Sequence, residues 1–205
     1  MLGALAAAAA LGIPLRSAAR AVASVPPFLG RLQPVLLPSG AIALRDDYNA
    51  SLTAANAAFN VLRHARAGRR VLVLHGVSDF GANVRRRHRY VGSIAPQIAD
   101  LAVFVGEGSD YACRRAVEAG LASDHVFGFQ SQFEAAAFLK KELRSGDLVL
   151  FKGKTTDHLA RVFFAQFASV ACWKLRCPKT MLCDECWELG VDSRDLRRVV
   201  PVAAE

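Results

Sequence analysis

Arg70-Val71-Leu72-Val73-Leu74-His75-Gly76 is the stretch that decides the fold. Four consecutive aliphatic residues leave no polar face, so the segment reads as a strand covered on both sides, the pattern of a parallel sheet between helices. His75 and Gly76 then close the run with residues suited to a loop. Outward from it the alternation repeats. Residues 101–105, 125–129 and 147–152 are further apolar runs of strand length, and 33–44 reads as two short strands about a Pro38-Ser39-Gly40 turn. Between them, 51–64 carries Leu52, Ala55, Phe59 and Leu62 on one helical stripe, and 83–99, 109–120 and 131–144 are the other candidate helices.

Strands alternating with helices predict a three-layer, Rossmann-like α/β domain over residues 30–170, with a mostly parallel sheet. Two short helices are expected over 1–29, the first ending at Gly12 and the second starting after Pro14. Residues 171–205 read as a Cys-rich helical tail. A composition of 53% hydrophobic and 21% charged residues excludes a disordered or collagen-like chain. The net charge of +8 favours anionic partners without selecting one. The apolar opening lacks an early cation and is interrupted at Gly12 and Pro14, so neither a secretory signal nor a membrane span is expected. Five cysteines, four of them clustered, suit a reducing, cytoplasmic compartment.

Ligands of such sheets sit at the carboxyl ends of the strands, which directs attention to the loops there. Arg45-Asp46-Asp47-Tyr48-Asn49-Ala50-Ser51 is a dense polar turn that suits a ribose, a metal or an amine. It equally suits a helix start capped by Asp47, Asn49 or Ser51. The loop from His75 to Gly81 lacks G-x-G-x-x-G. Gly153-Lys154-Thr155-Thr156 resembles the end of a phosphate loop, but Leu148 stands where that motif needs glycine, leaving at most a weak anion site. Arg85-Arg86-Arg87-His88-Arg89 reads as a solvated helix face, with nucleic-acid binding disfavoured.

Taken in order, Gly30-Arg31, Asp46-Asp47-Tyr48-Asn49-Ala50, the Gly76 to Gly81 loop, His88-Arg89-Tyr90-Val91-Gly92 and Val149-Leu150-Phe151-Lys152-Gly153 resemble the C-terminal domain of Mur ligases. The likeness is greatest to the type that adds D-alanyl-D-alanine, and it spans residues 1–170, with 1–29 resembling the last helices of a central ATPase domain. It implies an ATP- and magnesium-dependent amide-bond ligase acting on a UDP-linked muramoyl peptide and a D-alanyl-D-alanine-like amino substrate. By the same resemblance Arg31 stands near the ATP phosphates, Asp46, Tyr48 and Asn49 face the nucleotide, and Lys152 and Gly153 line the substrate side. Ser51-Leu52 replaces the family's Asn-Pro, and Lys154-Thr155 its Ser-Arg. No counterpart of the family's phosphate loop, magnesium-binding acid or carbamylated lysine is present. The expectation is a domain inactive alone, working with ATPase machinery that a separate chain can supply.

Beyond the resemblance, residues 155–171 read as a long apolar helix leading into Cys172, Cys177, Cys183 and Cys186. Four thiols in this spacing suit a tetrathiolate zinc or an iron–sulfur site. They also suit reduced, partly buried cysteines with Trp173 and Trp187 packed beside them. Cys113 reads as a helix core residue. The alternative to a ligase domain is a non-catalytic binding module that uses a metal-stabilised tail as its interaction surface.

Overall fold

The computed structural model describes residues 1–25, 28–78 and 83–192. Pro26-Pro27, the Gly81 end of the 76–81 loop and the last residues of the tail, 193–205, lie outside the described residues. Val71 to Leu74 are buried completely or nearly so, in the strand β3 (Arg69–Leu74). Each such aliphatic side chain contributes about 1.5–3 kcal/mol through burial. The other strands are β1 (Gln33–Leu36), β2 (Ile42–Asp46), β4 (Leu101–Val105), β5 (Val126–Phe129) and β6 (Asp147–Lys152). They form one sheet in the order β1-β2-β6-β3-β4-β5, antiparallel only at the β1 edge. The carboxyl ends of five strands therefore share one side.

Alternation along the strands splits the core in two. Leu72, Leu74, Ala102, Phe104 and Leu150 face Phe59, Leu62, Val91, Ala95 and Ala112 of α3 (Leu52–His64), α4 (Val84–Ile98) and α5 (Ser109–Glu118). Val71, Val73, Val103, Val149 and Phe151 face Leu139, Val162 and Phe163 of α6 (Gln132–Glu142) and α7 (Ala160–Phe164), together with Cys183 and Leu189. The fold is thus the expected three-layer α/β arrangement. Helix starts are specified locally: Ser51, Asn83 and Ser131 accept from the backbone N–H groups of Ala54, Arg86 and Glu134. Two nine-residue helices, α1 (Leu2–Ala10) and α2 (Leu15–Ala23), precede the sheet. Among the described residues no helix is long and apolar enough to cross a membrane.

The expected helix over 155–171 is not there. Thr155–Asp157 forms a single 3-10 turn, and the Asp157 carboxylate accepts from the Lys154 backbone N–H. His158 follows in the left-handed conformation, at φ 54°, which no continuous helix admits. Only the five residues of α7 are helical before the chain turns again. The tail is likewise irregular up to residue 192, apart from the 3-10 turns Cys183–Glu185 and Trp187–Leu189.

Candidate ligand-binding cleft

β2 and β6 lie side by side with Asp46 level with Lys152, so both side chains emerge at the carboxyl edge. Lys152 is fully buried; its Nζ lies 2.7 Å from Asp46 Oδ2 and donates to the carbonyl oxygens of Asp46 and Asn49. Burial pushes the Lys152 ammonium below its ordinary pKa, and the Asp46 carboxylate opposes that shift. Asp46 also accepts from the Leu32 backbone N–H at 3.2 Å. The Asn49 carboxamide accepts from Ser51 N–H, and Ser51 caps α3. Asp46, Asn49, Lys152 and Gly153 thus build the 46–51 turn from within, with Gly153 N–H on the Asp46 carbonyl. Lys152 sits beneath the turn.

Arg31 and Tyr48 face outward. Gly30 has φ 65°, and a Cβ there would come within 2.7 Å of Asp47 Oδ1, so glycine is required where Tyr48 N–H binds the Gly30 carbonyl. That contact brings the Arg31 guanidinium 4.5 Å over the Tyr48 ring, with Phe28 edge-on to the ring at 5.5 Å. A cation stacked on an aromatic at the mouth of a strand edge is a fitting platform for a base or a phosphate.

Two adjoining cavities of about 160 and 510 Å³ open between the carboxyl ends of β3, β4, β5 and β6, sharing His75, Glu107 and Asp157. Arg87 and Lys154 line the first; Arg161, Lys174 and Arg176 line the second. Their cations outnumber the two acids, which suits an anionic ligand. His75 Nδ1 lies 3.4 Å from Asp157 Oδ1, and Gly106, at φ 91°, leaves the space the imidazole needs. Buried Arg87 Nε, Arg161 Nε and Gln132 Oε1 have no hydrogen-bond partner, although each belongs to a residue on this cleft. Such groups cost about 1–3 kcal/mol each unless a ligand or water satisfies them.

The basic run of α4 is only partly a solvated face. Arg85 and Arg86 are exposed, but His88 is buried against Gly76 and Gly108, and Arg87 lines the cleft. The reason is position: the run forms the first turns of the helix that follows β3, where side chains reach back over the strand ends. Burial first, then the nearby His75 and Arg87, lowers the His88 pKa to about 4, so it is neutral at physiological pH.

Residues 171–192 fold back as a strap across the sheet. Arg45, fully buried, holds Asp47 at 2.9 Å and Asp184 at 2.5 Å, and its guanidinium lies 5.1 and 5.2 Å from the Phe163 and Phe164 ring centres. Burial raises the Asp47 pKa, against the opposing pull of Arg45. Buried Arg161 donates to the Lys174 carbonyl at 2.5 Å, and Ala171 N–H to Leu189 O at 2.9 Å. Trp173, Lys174, Leu175, Arg176 and Cys177 thereby become one wall of the larger cavity. Trp173 packs edge-on to Phe133, whereas Trp187 is 85% exposed, with Lys179 Nζ 5.8 Å from its ring centre. Cys172, Cys177, Cys183 and Cys186 line one further pocket, together with His158, Arg161 and Lys179. Among the described residues no group of three or more His, Cys, Asp or Glu is already arranged to hold a metal ion. Cys113 is half-buried on α5 against Gly128.

Sequence comparison matches residues 30–155 to the family model described as Mur ligase, glutamate ligase domain. The chain belongs to the Mur ligase family. It is 30% identical over 163 residues to UDP-N-acetylmuramoyl-tripeptide–D-alanyl-D-alanine ligase of Treponema pallidum (strain Nichols), a match covering 78% of this chain and 35% of that protein. Among solved structures it is similar to MurF from Acinetobacter baumannii, at TM-score 0.61 and 27% identity over 76% of this chain and 34% of that one. A MurF ligase from Thermotoga maritima, in complex with ADP, shares the fold at TM-score 0.61 and 19% identity, covering 79% and 35%. The chain therefore spans about a third of the length of the Mur ligases it matches. The matched region ends at residue 155, before Asp157, Arg161 and the strap, which complete the cleft.

Proposed function

We propose that this chain is the nucleotide- and amino-substrate-contacting domain of an ATP-dependent amide-bond ligase of peptidoglycan precursor synthesis. The observation that carries the reading is the cationic cleft at the carboxyl ends of four parallel strands, with three buried polar groups left unpartnered in it. Ligation of this class activates a peptide carboxylate as an acyl phosphate, which the amine of a D-alanyl-D-alanine-like substrate then displaces. In this reading the Arg31–Tyr48 stack receives the nucleotide, its guanidinium toward phosphate. Arg87, Lys154, Arg161, Lys174 and Arg176 receive the anionic parts of the UDP-linked muramoyl peptide and the carboxylate of the incoming dipeptide. The His75–Asp157 pair is placed to accept the proton the attacking amine loses. These groups orient reactants and stabilise charge instead of forming a covalent intermediate.

Magnesium does not fit the polar turn. Asp46 is committed to Lys152 and Asp47 to Arg45, so no step is assigned to a metal there. The sequence carries no G-x-x-x-x-G-K-[ST] loop, so phosphate activation belongs to another domain, within the same polypeptide or in a separate chain. The free cysteines among the described residues suit a cytoplasmic setting, where UDP-linked precursors are handled.

Calorimetric titration of the full chain with ADP tests the nucleotide half. Saturable binding weakened about tenfold in Arg31→Ala is expected, the loss of one charge-assisted contact. The chain alone should not turn over ATP; turnover above the Arg31→Ala and Lys152→Ala controls would contradict the assignment of phosphate activation to another domain. The exposed side chains of Trp187 and Leu175 favour a second reading, a non-catalytic binding module that docks a partner through the tail. Absence of both ADP and dipeptide binding would select it.

A further inference from the structure

We propose that Gln132 and Arg161 are the specificity-determining pair of the larger cavity, gripping the C-terminal residue of a dipeptide so that the amine of its first residue reaches His75 and Asp157. The inference rests on the ligase reading and goes beyond it by naming the groups that choose the amino substrate. Both residues line that cavity, and each leaves one buried polar atom without a hydrogen-bond partner, Oε1 of Gln132 and Nε of Arg161. The two atoms are of opposite kind. Gln132 Nε2 donates to the Asp157 carbonyl at 2.5 Å, which fixes the orientation of the amide and leaves Oε1 as an acceptor. Arg161 is 2% exposed, and its Nη1 donates to the Lys174 carbonyl at 2.5 Å, so the strap holds the guanidinium in place while Nε still has a proton to donate.

A ligand that satisfies both atoms presents an N–H and an anionic oxygen close together. The C-terminal residue of a peptide does so, because its peptide N–H and its carboxylate flank one α-carbon. The N–H suits Gln132 Oε1, and the carboxylate suits Arg161 in a charge-assisted contact. Lys174, on the same wall, is already held by Glu188 at 2.7 Å, whereas Arg161 is the buried cation of this cavity. The first residue of the dipeptide then extends toward Asp157, whose carbonyl holds Gln132 and whose carboxylate lies 3.4 Å from His75. A free amino acid carries its ammonium and carboxylate on one α-carbon. Gripped in the same way it spends its amine on Gln132 and has none left for the His75–Asp157 pair. Arg161 lies beyond residue 155, where the family match ends, so this half of the pair belongs to the part of the chain built around the strap.

The test is calorimetric titration of the full chain with four probes. They are D-alanyl-D-alanine, D-alanine, the dipeptide carboxamide with its neutral C-terminus, and D-alanyl-D-lactate, in which an ester oxygen replaces the peptide N–H. The dipeptide is expected to bind at least about tenfold more tightly than each of the others, because each analogue leaves a buried group unpaired. In Gln132→Met the preference over the ester should vanish while the preference over the carboxamide remains. In Arg161→Met the reverse is expected. If trypsin then cuts after Lys174 or Arg176, the strap has opened, and Gln132→Met, which keeps the Arg161 bond to the strap, decides alone. Equal binding of dipeptide and ester by the parent chain, or an ester penalty that survives in Gln132→Met, would overturn the proposal and leave the ligase reading standing. Absence of dipeptide binding would overturn the proposal together with the amino-substrate half of that reading, whose nucleotide half ADP tests separately.

Discussion

The helices α3, α4 and α5 cover one face of the sheet, and α6, α7 and the strap of residues 171–192 cover the other, but the helices and the strap are held by different forces. The helical layer buries Phe59, Leu62, Val91, Ile98 and Ala112 against Leu72, Phe104 and Leu150, so its attachment is distributed over many apolar contacts. On the other face α7 buries Ala160, Val162, Phe163 and Phe164, whereas the irregular strap adds only Cys183 and Leu189 to the buried core. The strap hangs on Cys183 and Leu189 in the core, the Arg45–Asp184 ion pair and the Arg161 bond to Lys174 O. In a distributed hydrophobic interface one large-to-small change costs about 2–5 kcal/mol and leaves the other contacts in place. A polar one concentrates its dependence in single charges, because an abandoned partner stays buried.

Removing Arg45 should break this asymmetry most severely. Arg45→Ala leaves Asp47 and Asp184 buried without their cation, and a loss of about 3–5 kcal/mol in urea unfolding is expected. Trypsin should cut the strap before the helical layer opens; simultaneous exposure of both would show that the strap is not the separable part.

The helical side has one concentrated dependence of its own, His88. Its pKa is about 4 in the fold against an ordinary 6.5, so as pH falls from 6.5 to 4 the unfolded chain takes up a proton that the folded chain refuses. Stability from this residue is fully present above pH 6.5 and declines through that window, by up to about 3 kcal/mol. Urea titrations across this range should show a shallower decline in His88→Gln than in the parent chain; equal slopes would place the pH dependence elsewhere.

Smaller changes sharpen the contrast. Ser51→Ala removes the cap of α3 and should cost about 1 kcal/mol by thermal unfolding, without altering strap proteolysis. Arg89→Ala, whose partner Glu118 is 3.5 Å away and about half exposed, should shift stability by no more than about 0.5 kcal/mol.

What could be read from the chain follows the same division. Continuous apolar runs such as Val71 to Leu74 announce β3, β4 and β6 because burial on both faces leaves a local signature, whereas β1 and β2 are announced by the Pro38-Ser39-Gly40 turn between them. The Lys152–Asp46 pair is not, because it depends on β2 lying beside β6, a neighbour 106 residues away. In the sequence Arg45 is only one member of a polar turn, since its partner Asp184 is 139 residues distant. Arg87 and His88 hid within a run of charge whose spacing suits solvent. The expected helix over 155–171 fails at His158, where apolar periodicity carries no hint of a left-handed residue. Arg161, Lys174 and Arg176 enter the cleft only because that break turns the chain back across the sheet.

Amide chemical-shift mapping of the isotope-labelled chain with ADP and with D-alanyl-D-alanine asks whether one ligand-binding face is assembled from the 30–51 turns, the strand ends and the strap. ADP is expected to shift residues 30–31 and 46–51, and the dipeptide 75–78, 130–132, 154–161 and 173–177. Shifts confined to the exposed Arg85–Arg86 end of α4, or dipeptide binding that leaves 173–177 unmoved, would contradict it.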